Sequence, residues 1–394
     1  MFLPDRSSAL GVLHDFLPRA GKEYAAQRNY DNGPDQKTGV SKLSPWIRIR
    51  MLSEWEIVSE VLAMHTASSA SKFIDEVCWR TYWKGWLQLR PSVWISYLGS
   101  RERYLEDFQS NIQYREAIDG RTGIDCFDAW AVELVDTGFL HNHARMWFAS
   151  IWIHTLKLPW ELGADWFLRH LLDGDPASNT LSWRWVAGLH TQGKSYLARA
   201  DNIRKYTNNR FDVNAGLAKE PIEFDPYSHP SAQAISELPP IPSKTRLGLI
   251  VIDEDLNSLE WLGEGEAFEA KAGFFPLSSY NSQCISEKVV DFRRQAMANC
   301  VNGPILENVE DLSAWIIQER LQGVVLAEPT TGLWDSIRPE LEAVLKKHSV
   351  SLYYARHWWD ELFFPRATRG FFNFKKAIPK ALEQLERTSE MTVH

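Results

Sequence analysis

The apolar pattern of this 394-residue chain changes period once, across a proline-rich stretch near residues 212–245. Before the break, apolar residues recur at helical spacing: Leu10, Leu13, Phe16 and Leu17, then Phe73, Val77 and Tyr82. Side chains three and four apart share one helix face, so this spacing predicts buried helices rather than strands. Thirteen of the 18 tryptophans fall in residues 1–220, which places a large aromatic core there. After the break, short apolar runs alternate with helical stretches. Leu247–Asp253, Gly323–Ala327 and Val350–Tyr354 read as strands, and residues 286–299, 309–321 and 335–348 as helices. That alternation implies an α/β unit with a Rossmann-like parallel sheet. The expected organisation is an all-helical domain at 1–215, a Pro-rich linker at 216–244, a smaller α/β domain at 245–385 and a polar tail at 386–394.

Composition narrows the function classes. The net charge of −8 is unevenly spread: residues 1–220 hold 26 basic and 26 acidic side chains, leaving 17 and 25 for the rest. The first part is therefore neutral overall and free to carry a local basic surface. Cys78, Cys126, Cys284 and Cys300 form no Cys-x-x-Cys pair, so neither zinc nor an iron–sulfur cluster is expected and the metal reading is none. No apolar run reaches the length of a membrane span, and the start lacks the pattern of a secretory signal. A cytoplasmic protein is the expectation. The α/β part shows no Gly-x-Gly-x-x-Gly or phosphate loop.

Three clusters carry chemistry. Glu76, Trp79, Arg80 and Trp83 share a helix face, where indoles could stack on a planar ligand and the charges fix its edge. An Arg–Glu pair beside core aromatics is the plainer alternative. Asn142, Arg145 and Met146 follow on a helix that is otherwise apolar, so Arg145 needs a buried partner, with Asp173 or Asp175 available. Asp173-Gly174-Asp175-Pro176 reads as a turn into a helix, with Asp175 as N-cap and Pro176 in the first turn. Its two carboxylates could also accept bonds from a ligand.

In order and spacing, these clusters resemble a known family. The segment TGFLHNHARMWFAS…LPWELGADWFLRHLLDGDPASNTLSWRW, with EYAAQRN, SKLSPWIR and EVCWRTYW upstream, is similar to the FAD-binding core of DNA photolyases and cryptochromes. The likeness runs from about Leu10 to Phe211. It implies FAD held in a helical pocket by Tyr24, Ser41, Lys42, Leu43 and Ser44 on the phosphate side. Glu76 and Arg80 would line the mouth. Asn142, Arg145, Asp173, Gly174, Asp175 and Asn179 would surround the ring system, with Asn179 at flavin N5. Glu76, Arg28, Trp79, Asn142, His143, Met146 and Trp185 match positions that face DNA or a flipped pyrimidine dimer. Trp183 and Trp160 match the first two members of an electron-transfer chain.

The resemblance implies a blue-light-driven lyase that repairs cyclobutane pyrimidine dimers in single- or double-stranded DNA, with Asn179, Trp183, Trp160 and Glu76 as its working residues. The alternative is a cryptochrome-like receptor that signals through a protein partner. Departures are visible. Phe108 falls where a third tryptophan is usual, with Trp152, Tyr104 or Tyr114 as substitutes. His143 replaces an arginine, and Val40 a threonine. The α/β part follows the helical part, a permuted order, and no antenna-chromophore site can be matched in it.

Overall fold

The computed structural model describes residues 2–384 except 35, 37, 192, 214–215, 226, 244 and 263–267. The expected tail at 386–394 and parts of the expected linker lie outside the described residues. Helices fill Arg6–Tyr206, and the strands lie between Leu247 and Ala355. The five strands are β1 (Leu247–Val251), β2 (Ala270–Phe274), β3 (Ile305–Leu306), β4 (Gly323–Ala327) and β5 (Ser351–Ala355). All neighbours pair in parallel, in the order β3-β2-β1-β4-β5. The strands β1 and β4 are buried along their whole length, as the apolar runs require for a sheet covered on both faces. The sequence reading omitted β2 and β3. β2 is Ala-Lys-Ala-Gly-Phe, without a β-branched residue, and β3 is two residues long after Pro304.

The helical and sheet parts share one contiguous apolar core. They are also joined through main chain: Leu256 N–H donates to the Ile49 carbonyl at 2.9 Å, and Ser286 N–H to that of Arg169 at 3.0 Å. The long helix Ser71–Gln88 is the axis of the joint. Eleven of its residues from Phe73 to Leu87 are buried, including Trp83, Lys84 and Trp86. After the sheet, the chain turns back along this helix, with Phe364 beside Gly85, Phe371 against Tyr82 and Trp79, and Lys375 at Asp75. No described helix is long and apolar enough to cross a membrane.

Candidate functional site

Each carrier of the site is fixed by local chemistry. Ser53 and Glu56 form a reciprocal capping box that starts the helix Glu54–Met64. Asp175 accepts from Ser178 N–H at 2.7 Å and starts the helix Pro176–Val186, as its N-cap pattern predicts. The turn before it has no room for a side chain: a Cβ on Gly174 would lie 3.0 Å from the carbonyl oxygens of Leu168 and Leu171. Lys42 adopts a left-handed backbone, φ 56°, just ahead of the helix Ser44–Arg48. Such a conformation costs a non-glycine residue free energy and is over-represented at functional sites. The helix Asn142–Ser150 runs directly into a π-helical turn, Ile151–Thr155. That insertion rotates Trp152 relative to Arg145 and is itself common where side chains serve a function.

Arg145 pairs with Asp173 at 2.8 Å, and its Nε donates to the Leu140 carbonyl at 2.8 Å. Asp173 uses one carboxylate oxygen for this pair; the other is buried and has no protein partner. Two more buried polar atoms on the surrounding helices share that condition, Arg80 Nε and Ser178 Oγ. A buried polar atom without a partner is costly, so these three mark where an external polar molecule is expected. Asn179 is buried, and its Nδ2 donates to the Ala164 carbonyl at 2.7 Å, which leaves the amide oxygen as the group offered to a ligand. Tyr24 and Leu43 are buried; Ser41, Lys42 and Ser44 are half-buried, with Lys42 Nζ lying 5.9 Å from the centre of the Phe139 ring.

Other site residues are separated by the structure into distinct contacts. Glu76 pairs with Arg28 at a half-exposed rim, and burial outweighs Arg28 in raising its carboxyl above the usual range. Arg80 pairs instead with the buried Glu54 and donates to the Arg48 carbonyl at 3.0 Å. Trp83 turns its edge to His190. The indole of Trp79 lies face to face with Phe371, centroids 3.8 Å apart at 9°. Trp185 stacks on Tyr196 at 5.7 Å. Asn142 is exposed and Met146 half-buried. His143 is held between the Asn29 carbonyl, 3.0 Å away, and the face of Trp147.

Gly174 and Asp175 are engaged by the protein itself. The Gly174 carbonyl accepts from Arg48 Nε at 2.8 Å and Arg293 Nη2 at 3.0 Å. Asp175 faces Lys84 at 3.9 Å, and Lys84 in turn reaches Glu254 at 3.0 Å. Burial would raise the Asp175 carboxyl; Lys84, Arg80 and Arg48 together hold it below the usual range. Arg48, Arg50, Lys84, Glu254 and Arg293 were not singled out from the sequence. The available signal was Arg48-Ile49-Arg50 inside an apolar stretch, since two guanidiniums there need buried partners. Arg50 finds three: Glu54 at 3.1 Å, Asp255 at 3.1 Å and Asp360 at 2.6 Å. Arg50, Lys84, Glu254, Asp255 and Asp360 line a crevice of about 10 Å³ at the carboxyl ends of β1, β4 and β5, the edge where ligands of open α/β sheets usually sit.

Among the aromatics, Trp183 touches Trp152 at 6.1 Å and Trp152 touches Tyr114 at 6.0 Å, both edge to face. Trp160 packs on Tyr97 at 5.6 Å, and Phe108 on Tyr104 at 6.1 Å. Gly163 permits the Trp183 packing, because a Cβ there would come within 2.3 Å of that indole.

The helical part of the chain is similar in sequence to known proteins. Residues 73–219 match the family model for the FAD binding domain of DNA photolyase. A deoxyribodipyrimidine photo-lyase of Streptomyces griseus is 30% identical over 244 residues, which are 56% of this chain and 52% of that protein. A chloroplastic/mitochondrial cryptochrome DASH of Oryza sativa is 34% identical over 196 residues, covering 48% of this chain and 33% of the relative. The chain thus spans about half the length, or less, of these curated relatives. The crystal structure of a Synechocystis cryptochrome aligns over 52% of this chain and 43% of its own, with 26% identity and a TM-score of 0.45. Over its helical part, the chain is thus similar to the FAD-binding part of DNA photolyases and cryptochromes.

Proposed function

We propose that the chain binds FAD and uses blue light to repair cyclobutane pyrimidine dimers in DNA. The observation that carries this reading is the Arg145–Asp173 pair with its unpartnered buried carboxylate oxygen, followed within six residues by the unpartnered Ser178 Oγ and the amide oxygen of Asn179. That donor and acceptor set fits a polar heterocycle. When bound, reduced FAD supplies a light-driven electron to the dimer and takes it back once the ring has opened. The protein's own residues do the rest. Arg145 is fixed by Asp173 and the Leu140 carbonyl, so its charge is aimed before any ligand arrives. Asn179 presents an acceptor where the resemblance places flavin N5, the match for an N–H of the reduced ring. Tyr24, Ser41, Lys42 and Ser44 would hold the phosphate side. Glu76, Arg28, Met146, Trp79 and Trp185 would face the extruded pyrimidine dimer. The two parts of the chain, helical and α/β, are read as two domains in permuted order.

One observation favours a second reading, a flavin photoreceptor acting through a protein partner. Phe371 covers one face of Trp79, an indole that repair would need free to pack against a pyrimidine. Irradiation of the reduced, FAD-loaded protein with thymine-dimer oligonucleotides separates the two. Light-dependent loss of dimers, abolished in the dark and much reduced in Glu76→Ala, supports repair. A flavin-loaded protein that repairs neither single- nor double-stranded substrate supports the receptor. Protein that stays colourless after FAD is added removes both readings.

A further inference from the structure

The stretch from Leu362 to Leu382 contains Arg366, Arg369, Lys375, Lys376 and Lys380 and no Asp or Glu, in the part of the chain that holds all the excess acid. Packing fixes where these charges lie. Phe371 is stacked on Trp79, Phe374 packs on Tyr82, and Lys375 pairs with Asp75 at 2.5 Å. Arg90 donates to the Thr368 carbonyl at 2.7 Å. The segment is thereby laid along the helix Ser71–Gln88, over the side that carries Trp79. Its buried residues, Phe371, Phe374, Ala377 and Ile378, anchor it. Arg366, Arg369, Phe372, Lys376 and Lys380 face outward. Phe372 is 86% exposed. At the amino end of the same helix lies an open depression of about 810 Å³, lined by Lys22, Lys72 and the hydroxyls of Thr66, Ser68, Ser69 and Ser71. Arg28 stands beside Glu76 between the two.

We propose that the Arg366–Lys380 segment is a contact surface for a single strand of DNA, with its cations on the phosphates, Phe372 stacking on a base, and the Lys22–Lys72 depression extending the path. A cationic track with an exposed aromatic ring beside it is the chemistry that binds unpaired strands without sequence preference. A duplex offers no free base face to Phe372, so the surface prefers a single strand. This inference rests on the reading that DNA is the partner, and it assigns that partner to a part of the chain outside the flavin-facing residues.

The test is fluorescence anisotropy in the dark, with undamaged labelled dT oligonucleotides and the full-length, FAD-loaded protein. All residues changed are exposed and outside the flavin site. Arg366→Gln/Arg369→Gln/Lys376→Gln is expected to weaken binding at least about tenfold at 0.1 M salt, and to reduce the slope of log K against log salt by about 2. Phe372→Ala is expected to weaken it by about threefold or more at unchanged slope. Affinity and slope equal to wild type in the triple variant overturn the surface while leaving DNA as partner. Wild-type protein that binds no oligonucleotide, damaged or not, overturns the surface and the repair reading together.

Discussion

Arg293, on the helix Glu287–Cys300, donates to the carbonyl of Gly174 in the turn Asp173-Gly174-Asp175 at 3.0 Å, and its Nη1 lies 3.3 Å from Asp253 just after β1. Both side chains are essentially fully buried. The sheet part therefore holds the turn that presents Asp173.

Arg293→Met should lower the stability of the whole chain by about 3 to 5 kcal/mol, because it leaves Asp253 charged and buried without its partner. Urea unfolding checks this. The double variant Arg293→Met/Asp253→Asn should recover part of the loss, since the stranded charge is gone. If the turn is held as described, the single variant also weakens FAD binding, read by flavin fluorescence.

Acid should unfold the protein through Glu54. Burial alone would raise this carboxyl, but Arg50 and Arg80 more than offset it and hold it at about 2. A folded pKa below the ordinary 4.5 means that Glu54 stabilises the fold above that pH. The contribution, about 3 kcal/mol, is lost as pH falls from about 4.5 to about 2. Glu54→Gln should be less stable than wild type at pH 6, and the gap should narrow below pH 4.5 and close only below about pH 2. Denaturant midpoints across that range decide it. His141, lowered by burial to about 4, adds a loss of the same sign below its ordinary 6.5, common to both proteins.

Asn179→Asp should cost about 1 to 3 kcal/mol. Its Nδ2 donates to the Ala164 carbonyl at 2.7 Å, and a carboxylate there would set two acceptors against each other. If Asn179 faces flavin N5 as proposed, the reduction potential of bound FAD shifts at the same time, because that group gains charge. Spectroelectrochemical titration measures it.

Light-driven flavin reduction should run through Trp152. Trp183, Trp152 and Tyr114 form one continuous set of ring contacts, at 6.1 and 6.0 Å. Trp152→Phe should slow photoreduction with an external thiol by tenfold or more, while Trp160→Phe has the smaller effect. The reverse order would overturn the route. Flavin bleaching under blue light is the readout.

The helical core was legible because tryptophans at helical spacing admit few other uses, and β1, β4 and β5 because apolar runs bounded by turns do the same. β2 was hidden by its Ala and Gly content. In the candidate site, Asp175 as N-cap and Arg145 with Asp173 followed from sequence, since both are local or forced by burial. The contacts of Arg48, Arg50 and Arg293 did not. Most of them join residues more than a hundred positions apart, such as Arg48 with Glu254 and Arg50 with Asp360, and the docking of the sheet determines these. The cover of Trp79 by Phe371 was illegible for the same reason.

The return of the chain along the Ser71–Gln88 helix also has a consequence during synthesis. Asp75 leaves the ribosome 300 residues before Lys375, its partner. At ordinary rates of elongation, the helix waits about 15 to 60 s for its cover. During that interval Trp79 and Tyr82 lack the rings of Phe371 and Phe374. The nascent helical half is thus a client for any chaperone that reads bare aromatic surface, and its maturation is timed by the emergence of residues 364–375.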